Sequence, residues 1–399
     1  MKATDIFKDE NFIKCLKKRT YRISDRKIKI FNDKDEIVEE NVKKVAKIIC
    51  SSCWITNIDG IHIFINLEIL RLYNNKIKKI PQEIGKLENL KIISLIKNQI
   101  EELPKELGQL KNLEELDLKN NKIKKIPSII GKLINLKALS LESNRIEKIP
   151  NKIGKLKNLE ELYLSSNKIK KLPEEIWNLK SLKELYLSKN QIKELPKEIG
   201  QLKNLEELNL DWNQIKILPN EIENLENLKI LDLFDNQIKE LPKGIEKLIN
   251  LKHLDLNWNQ LQLLPSKIGN FKNLRWLYLS NNKIKKLPKE IWKLENLEIL
   301  NLSHNQLQWL PIEILKLNKL QRIWLHNAFD LNNLSQEPEE LFYILEQLKG
   351  KKTVRIETKS LKYLEEEVYP ILEEKIKEKY KIDDLKNFKN NLNFDNLNF

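Results

Sequence analysis

The sequence predicts an α/β solenoid with a parallel sheet of about 13 strands on its concave side and short helical or 3-10 segments on its convex side. One phrase, Leu-x-x-Leu-x-Leu-x-x-Asn-x-Ile-x-x-Leu-Pro, returns every 23 residues between Leu67 and Pro311. A column of asparagines follows the same step from Asn75 to Asn305. A unit of this size cannot bury its own leucines, so it is stable only when it stacks on neighbouring units.

Each repeat divides into a strand, an asparagine turn and an outer return segment. Between Leu113 and Leu118 the period is two, so the leucines face inward while Glu115 and Asp117 face outward. Asn121 follows, and we expect its amide to bind backbone groups that the buried turn would otherwise leave unpaired. Eleven of the 13 prolines occupy the end of this phrase. Proline stops strand pairing there and sets φ for the outer return segment.

Pattern and composition divide the chain into four parts. These are an N-terminal cap over residues 1–44, the repeat array over 45–328, a C-terminal α/β cap over 329–384 and an Asn/Lys-rich tail over 385–399. In the first cap we predict a short amphipathic helix from Asp9 and a strand or hairpin between Tyr21 and Phe31. In the second we predict a helix from Pro338 to Leu348, a strand from Lys352 to Glu357 and a helix from Leu361 to Tyr380, interrupted near Pro370. Caps cover the apolar ends of a repeat array.

The cysteines are interpreted as structural. Three cysteines, an odd number in a chain of 399 residues, argue against a disulfide framework and favour a reducing cytoplasm. Moving the repeat frame back by 22 residues from Leu67 places Cys50 at an inward leucine position and Cys53 in the asparagine column. A metal or redox role for Cys50-Ser-Ser-Cys53 would need a second ligand pair or a strand-to-helix turn after it, and neither follows.

Several functional classes are excluded by missing motifs. The sequence has no phosphate-binding Gly-rich loop and no nucleophile elbow. Its first residues do not resemble a secretion signal, and no stretch reaches the ~18 apolar residues of a membrane span. His304 and His326 lie on adjacent repeats without an obvious third metal ligand. We therefore expect a cytoplasmic, monomeric protein without enzymatic activity, cofactor, metal or small-molecule substrate.

The positive charge collects on one lateral edge. The net charge is +14, and the non-core positions after the column asparagines, as at Lys122, Lys124 and Lys125, hold more basic than acidic residues. Outward strand positions carry more acidic than basic residues, so the concave face is predicted to repel nucleic acid. We interpret the lysine edge as a solvated face. The alternative is a surface for anionic lipid or RNA.

Aromatic and histidine side chains collect at outward positions of the later repeats, where the repeat does not require an apolar residue. Exposed, clustered aromatics usually mark an interaction surface. We predict partner binding on the concave face through Trp212, Phe234, His253, Trp258, Trp276, Tyr278, His304, Trp324 and His326. The alternative is that these rings stack only on one another, as Tyr163 and Tyr186 could. Trp177 and Trp292 replace the outer glycine and are interpreted as packing residues.

The repeated phrase, continued as Pro-x-x-Ile-Gly-x-Leu-x-Asn, resembles the 23-residue leucine-rich repeats of bacterial repeat proteins and of the SHOC-2 and plant Ras-group-related LRR proteins. The segment from Trp54 to Ile61, followed by Asn66 to Leu70, is similar to a 22-residue internalin-type repeat. The residues from Asp9 to Phe12 are similar to the helical caps of such proteins. The resemblance implies a horseshoe fold that recognises a partner protein on its concave face.

We therefore predict a non-enzymatic protein–protein interaction module or scaffold in intracellular signalling or regulation. Its partner is expected to present a basic or mixed-charge surface, because acidic residues steer such a partner and aromatic residues hold it. The alternative is a secreted or translocated bacterial effector or adhesin that binds a host protein.

Overall fold

The structure is a computed structural model that describes residues 1–18, 21–23, 26–351 and 354–380, with the side chains of 21–23, 26–28 and 380 left out. The strands are β1 (Tyr21–Ile23), β2 (Arg26–Ile28), β3 (Lys47–Ile49), β4 (Ile69–Arg71), β5 (Ile92–Ser94), β6 (Glu115–Asp117), β7 (Ala138–Ser140), β8 (Glu161–Tyr163), β9 (Glu184–Tyr186), β10 (Glu207–Asn209), β11 (Ile230–Asp232), β12 (His253–Asp255), β13 (Trp276–Tyr278), β14 (Ile299–Asn301), β15 (Arg322–Trp324) and β16 (Arg355–Ile356). The helices are α1 (Ala3–Ile6), α2 (Glu10–Lys18), α3 (Glu39–Val42), α4 (Pro338–Gly350), α5 (Thr358–Tyr363) and α6 (Tyr369–Tyr380). The predicted tail over 385–399 lies outside the described residues.

Strands β3 to β16 form an open parallel sheet of 14 strands whose order follows the sequence. Equivalent repeat positions pair, as Leu116 does with Leu139. Ile48 pairs with Leu70, so the first step is 22 residues, as the sequence predicted. The fourteenth strand, β16, comes from the predicted C-terminal cap and pairs with β15. The arrangement confirms the predicted α/β solenoid.

By its internal contacts the chain divides into two compact units. The first contains Met1–Gln214 and Asn224–Leu228, and the second contains Ile215–Glu223 and the chain from Lys229 onward. The first unit holds β3 to β10 and the second holds β11 to β16. In both units the inward leucines and isoleucines of the repeat are buried. The predicted boundaries of the four sequence segments stay a prediction.

The asparagine column joins each repeat to the one before it. The Asn121 side chain is 7% exposed, and its Nδ2 donates to the carbonyls of Leu95 at 3.0 Å and Leu118 at 2.9 Å. Its Oδ1 accepts from the backbone N–H of Ile100 at 3.0 Å. Asn282 makes the equivalent bonds in the second unit. One amide therefore pairs buried backbone groups in two successive turns.

The outer return segments are 3-10 turns of five residues, from Gln82–Lys86 to Ile312–Lys316. In the turn Ser128–Lys132 the proline at position 127 lies at the N-cap with φ −70°. Because proline fixes φ near this value, it both ends the extended segment and starts the turn. The predicted 3-10 convex segments are confirmed.

The N-terminal segment packs on the first repeat through α2. Phe12 and Leu16 of this helix are fully buried. Strands β1 and β2 pair antiparallel, in the stretch for which a strand or hairpin was predicted. The interpretation of the cysteines was wrong in one respect, because Cys15 and Cys50 form a disulfide. The cysteine count gave no indication of this pair, because packing of the helix on the repeat, and not spacing in the sequence, brings the two residues together.

After β15 the chain forms a helical C-terminal segment. Helix α4 begins at Pro338, as expected for a residue that needs no helical N–H partner at the first turn. The predicted strand is short, over Arg355–Ile356, and residues 352 and 353 lie outside the description. A π-helical turn, Leu364–Val368, joins α5 to α6 immediately before Pro370. The predicted interruption of the long helix is therefore a π turn and not a break.

Candidate functional site

The predicted partner-binding residues divide between the two units. Trp212 lies in the first unit and the other eight lie in the second. We call these eight the aromatic face: Phe234, His253, Trp258, Trp276, Tyr278, His304, Trp324 and His326. The sequence placed all nine on outward strand positions, which was correct for His253, Trp276, Tyr278 and Trp324. The other five lie two or three residues beyond a strand, because each strand is only three residues long.

Four rings of the aromatic face form a continuous set of contacts across β12, β13 and β15. The ring of His253 lies 5.7 Å from that of Trp276 and 5.5 Å from that of Tyr278, measured between centroids. The Tyr278 and Trp324 rings are 6.4 Å apart. All four side chains are half-buried. Ring pairs at these separations stabilise one another, so the set presents a preformed apolar surface.

A second set of rings includes a residue of the C-terminal segment. The His304 and His326 rings are 5.1 Å apart, and the Tyr363 ring of α5 lies 5.7 Å from His326. Burial raises the pKa of Tyr363 to about 12. Tyr363 was not among the predicted residues, because nothing in its helical pattern indicates which side of α5 approaches the sheet.

Trp258 is the most exposed tryptophan of this face. Its side chain is 54% exposed and its backbone has φ 54°, in the left-handed region. The same repeat position has positive φ in the other repeats too, where it holds asparagine, as at Asn120 and Asn281, or serine, lysine, aspartate or histidine. Asparagine tolerates positive φ better than bulky residues do. A tryptophan there costs about 1 kcal/mol or more in backbone strain. Neither burial nor backbone preference explains why a tryptophan stands at this position. Trp258 is therefore a candidate binding residue.

Trp212 has the same features in the first unit. It is 48% exposed, its φ is 53°, and the Lys189 ammonium lies 5.8 Å from its ring centroid. Both tryptophans at this repeat position are therefore exposed and held in a conformation that disfavours them.

The outward face of the first unit is acidic and already hydrogen-bonded. The hydroxyl of Tyr163 donates to Glu184, and that of Tyr186 donates to Glu207. Burial and these carboxylates raise the pKa of both phenols. The Lys119 ammonium lies 2.7 Å from Glu142. The predicted ring contact between Tyr163 and Tyr186 is present, with centroids 5.0 Å apart.

Burial also reduces the tendency of two acids on this face to ionise. It raises the pKa of Asp117 and of Asp211, partly offset for Asp117 by a backbone N–H from Lys119 and for Asp211 by a hydrogen bond with Ser188.

A pair of arginines lies beside the aromatic face. Arg322 of β15 pairs in register with Arg355 of β16, and both side chains are exposed. They line a cavity of 220 Å³ with Trp324, Glu357 and Thr358. Neither guanidinium contacts a carboxylate within the described part of the chain. The repeat pattern could not place Arg355 beside Arg322, because the pairing of β16 with β15 is not part of the repeat.

Two histidines of the aromatic face, His253 and His304, favour their neutral form. Burial lowers the pKa of His253. Burial also lowers the pKa of His304, with further contributions from the charges of His326 and Lys359. Among the described residues no group of three histidine, cysteine or acidic side chains could hold a metal ion. At neutral pH the imidazoles of His253 and His304 therefore act as ring surfaces and hydrogen-bonding groups.

The lysine edge and the outer tryptophans occupy other surfaces. Lys168, Lys170 and Lys171 line an open cleft of 600 Å³ and have no ion-pair partner among the residues described. Trp177 is 1% exposed, which confirms its packing role. Trp292 occupies the same repeat position but is 36% exposed. None of the described helices is long and apolar enough to cross a membrane.

Comparison with known families and structures places the repeats among known proteins. The family described as Leucine-rich repeat region matches residues 42–133, 207–275 and 265–366. The family Leucine rich repeat matches residues 134–192, and Leucine Rich repeats (2 copies) matches residues 180–226. No curated protein matches the chain.

Solved structures give the same result. A leucine-rich repeat protein of Leptospira interrogans is 41% identical, with a TM-score of 0.68, over 75% of this chain and 74% of that one. An internalin of Listeria monocytogenes shares the fold, at 24% identity and a TM-score of 0.71, over 83% and 94% of the two chains. The Arabidopsis receptor kinase HAESA, solved with the peptide hormone IDA and the co-receptor SERK1, is 25% identical over 70% and 55%, with a TM-score of 0.58. The extent of these matches and the observed repeats show that the chain belongs to the leucine-rich repeat family.

Proposed function

We propose that the chain is a non-enzymatic binding module whose protein partner docks, one to one with a monomer, on the aromatic face of the second unit. The observation that carries the proposal is Trp258, which is exposed and held at positive φ in the repeat that also carries His253 of the ring contacts. Tryptophan supplies large contact area at low entropic cost and is frequent among the residues that dominate binding energy. Trp212 in the first unit has the same features and belongs to the proposal as a separate contact.

The charges beside the aromatic face define the partner's surface. Arg322 and Arg355 carry no described counter-ion, so an acidic group of the partner is expected at this end. The outward glutamates of the first unit would instead attract basic groups. We therefore propose a mixed-charge partner with apolar anchors, in agreement with the sequence-based prediction.

The test compares the intact chain with a Trp258→Ala/Trp276→Ala variant in pull-downs from extracts of cells that produce it. The variant is expected to lose the partner, since each central tryptophan contributes about 2 kcal/mol or more, roughly 30-fold in affinity. Trp292→Ala is the matched control, because this tryptophan is partly exposed on an outer turn. Trp177 is unsuitable, since the buried side chain would leave a cavity.

Equal recovery of the same proteins by the intact chain and the double variant would refute the aromatic face as the docking surface, provided that circular dichroism shows an unchanged fold. If charge reversal of Lys168, Lys170 and Lys171 abolished binding instead, the lysine edge would take its place. That result, together with salt-sensitive binding to RNA or anionic vesicles, would favour the lesser alternative.

The setting in which the module works has two candidates. The sequence favours intracellular signalling or regulation in the cytoplasm. The Cys15–Cys50 disulfide favours the second candidate, a secreted or translocated bacterial effector or adhesin, because disulfides persist in oxidising environments and are rare in the cytosol. The likeness to the Leptospira protein supports a bacterial setting. Alkylation of free thiols in fractionated producing cells separates the two, since a cytoplasmic chain would have three free thiols.

A further inference from the structure

All three cysteines of the chain lie together where α2 packs on the first repeat. Cys15 of α2 is bonded to Cys50, which follows β3. The Sγ of Cys53 lies 3.2 Å from the Sγ of Cys15. A thiolate attacks a disulfide through direct approach to one of its sulfurs, and Cys53 already lies at contact distance from one.

The three sulfurs differ in their access to solvent. Cys50 is 0% exposed and Cys15 is 5% exposed, whereas Cys53 is partly exposed. A dissolved thiol can therefore reach Cys53 but not the bonded pair. In the folded protein the route from solvent to the buried disulfide passes through Cys53.

The backbone fixes Cys53 in this position. Its N–H and that of Ile55 both donate to Oδ1 of Asn75, at 3.0 Å and 3.1 Å. Ser52 and Trp54 on either side have positive φ values of 56° and 62°. Because the segment is held by the asparagine ladder, the sulfur does not depend on a mobile loop to reach its neighbour.

The contact between α2 and the first repeat does not depend on the disulfide alone. The Asp9 carboxylate accepts from the backbone N–H groups of Thr56 at 2.7 Å and Asn57 at 3.1 Å, and from the Thr56 hydroxyl. Asn11 donates to the carbonyl of Trp54 at 3.2 Å. These bonds hold the helix in place while the sulfur bonds change.

We propose that Cys53 is a thiol–disulfide exchange site through which dissolved thiols control the covalent attachment of α2 to the first repeat. In the first step the Cys53 thiol loses its proton to water and its sulfur attacks Sγ of Cys15. A Cys15–Cys53 bond forms, the Cys15–Cys50 bond breaks, and the Cys50 sulfur leaves with the electron pair and takes up a proton. No net oxidation occurs.

In the second step a dissolved low-molecular-weight thiol, as its thiolate, attacks Cys53, the accessible sulfur of the new disulfide. A mixed disulfide forms on Cys53, and Cys15 leaves as a thiolate that takes up a proton. The helix is then no longer covalently attached to the repeat. This site is separate from the proposed partner-binding surface and does not rest on it.

The experiment uses the full-length chain and glutathione as the dissolved thiol. Reduction of the disulfide is followed by quenching, alkylation and mass spectrometry, with fragment ions that separate Cys50 from Cys53. Cys53→Ser is expected to slow reduction by about tenfold or more, because the remaining disulfide is inaccessible. Ser51→Ala is the matched control, because it changes the same segment without removing a thiol. Its disulfide is expected to be reduced at the rate of the unchanged chain.

A Cys50→Ser variant tests the reach of Cys53 independently. With oxidised glutathione it is expected to form the Cys15–Cys53 disulfide, which the same mapping detects. The proposal is overturned if the unchanged chain and Cys53→Ser are reduced at equal rates. It is equally overturned if Cys50→Ser, folded by circular dichroism, keeps Cys15 and Cys53 unlinked, so the proposal stays falsifiable even if Cys53→Ser does not fold.

Discussion

The two units of the chain share one framework and differ in the side chains that face outward. In the first unit, outward glutamates accept hydrogen bonds from tyrosine hydroxyls, as in the pair Tyr186 and Glu207. In the second, imidazole, indole and phenol rings contact one another from His253 to Trp324. The inward leucines and the asparagine column are the same in both. The fold is therefore set by the inward positions, and the outward positions are available for recognition.

The difference also indicates which face gains most from a partner. A glutamate bonded to a tyrosine must lose or share an existing hydrogen bond when a partner approaches, so its net contribution to affinity is small. A half-buried ring cluster gains further apolar burial without losing a hydrogen bond. The aromatic face of the second unit is thus better suited to supply affinity, and the first unit to attract charge.

The largest expected effect tests the shared framework. Asn121→Ala in the first unit and Asn282→Ala in the second should each lower the free energy of unfolding by about 3 kcal/mol, because buried backbone groups lose their partners. Both asparagines make the same set of bonds to the preceding turn. Urea unfolding followed by circular dichroism measures the change. Markedly unequal losses would show that the two units do not share one framework.

The second prediction separates stability from binding at Trp258. Trp258→Asn should raise the free energy of unfolding by about 1 kcal/mol, because asparagine tolerates positive φ. The same variant should bind the partner more weakly. Thermal unfolding and a binding titration on the same sample measure both effects.

Trp212→Asn is the matched variant in the first unit, where φ is also positive. It should give a similar gain in stability and a smaller loss in affinity. A variant of Trp258 that is more stable and binds equally well would show that the exposed indole has no role in recognition.

Much of the fold follows from the sequence because the repeat is local and regular. The 23-residue step predicted the strands, the asparagine column and the outer turns, each of which depends on residues within one or two repeats. The Cys15–Cys50 bond and the pairing of β16 depend instead on how segments outside the array pack against its ends. Such contacts are long-range and leave no period in the sequence.

The candidate site was predictable only as a set of residue types. Periodicity identified Trp258 as outward but placed it on a strand. The residue type of Trp258 gives no indication that its backbone lies in the left-handed region. Tyr363 and Arg355 join the rings and charges of the sheet through the C-terminal segment. Their roles require the tertiary contact itself.

The smallest expected effect concerns pH and sharpens the account of the aromatic face. Burial lowers the pKa of His253 in the folded chain below the ordinary value of about 6.5, so the unfolded chain binds a proton first as pH falls. The resulting stability is fully present above about pH 6.5 and is lost as pH falls through the lowered folded value. Urea midpoints at pH 7.5 and pH 5.5 should therefore differ, with the lower midpoint at pH 5.5. His253→Gln keeps a polar side chain that does not titrate, so this variant should show a smaller difference, whereas Tyr186→Phe in the first unit should leave the difference unchanged. An equal pH dependence in His253→Gln and the unchanged chain would mean that the imidazole is not buried among the rings of Trp276 and Tyr278, and the preformed cluster on which the second unit's role rests would have to be abandoned.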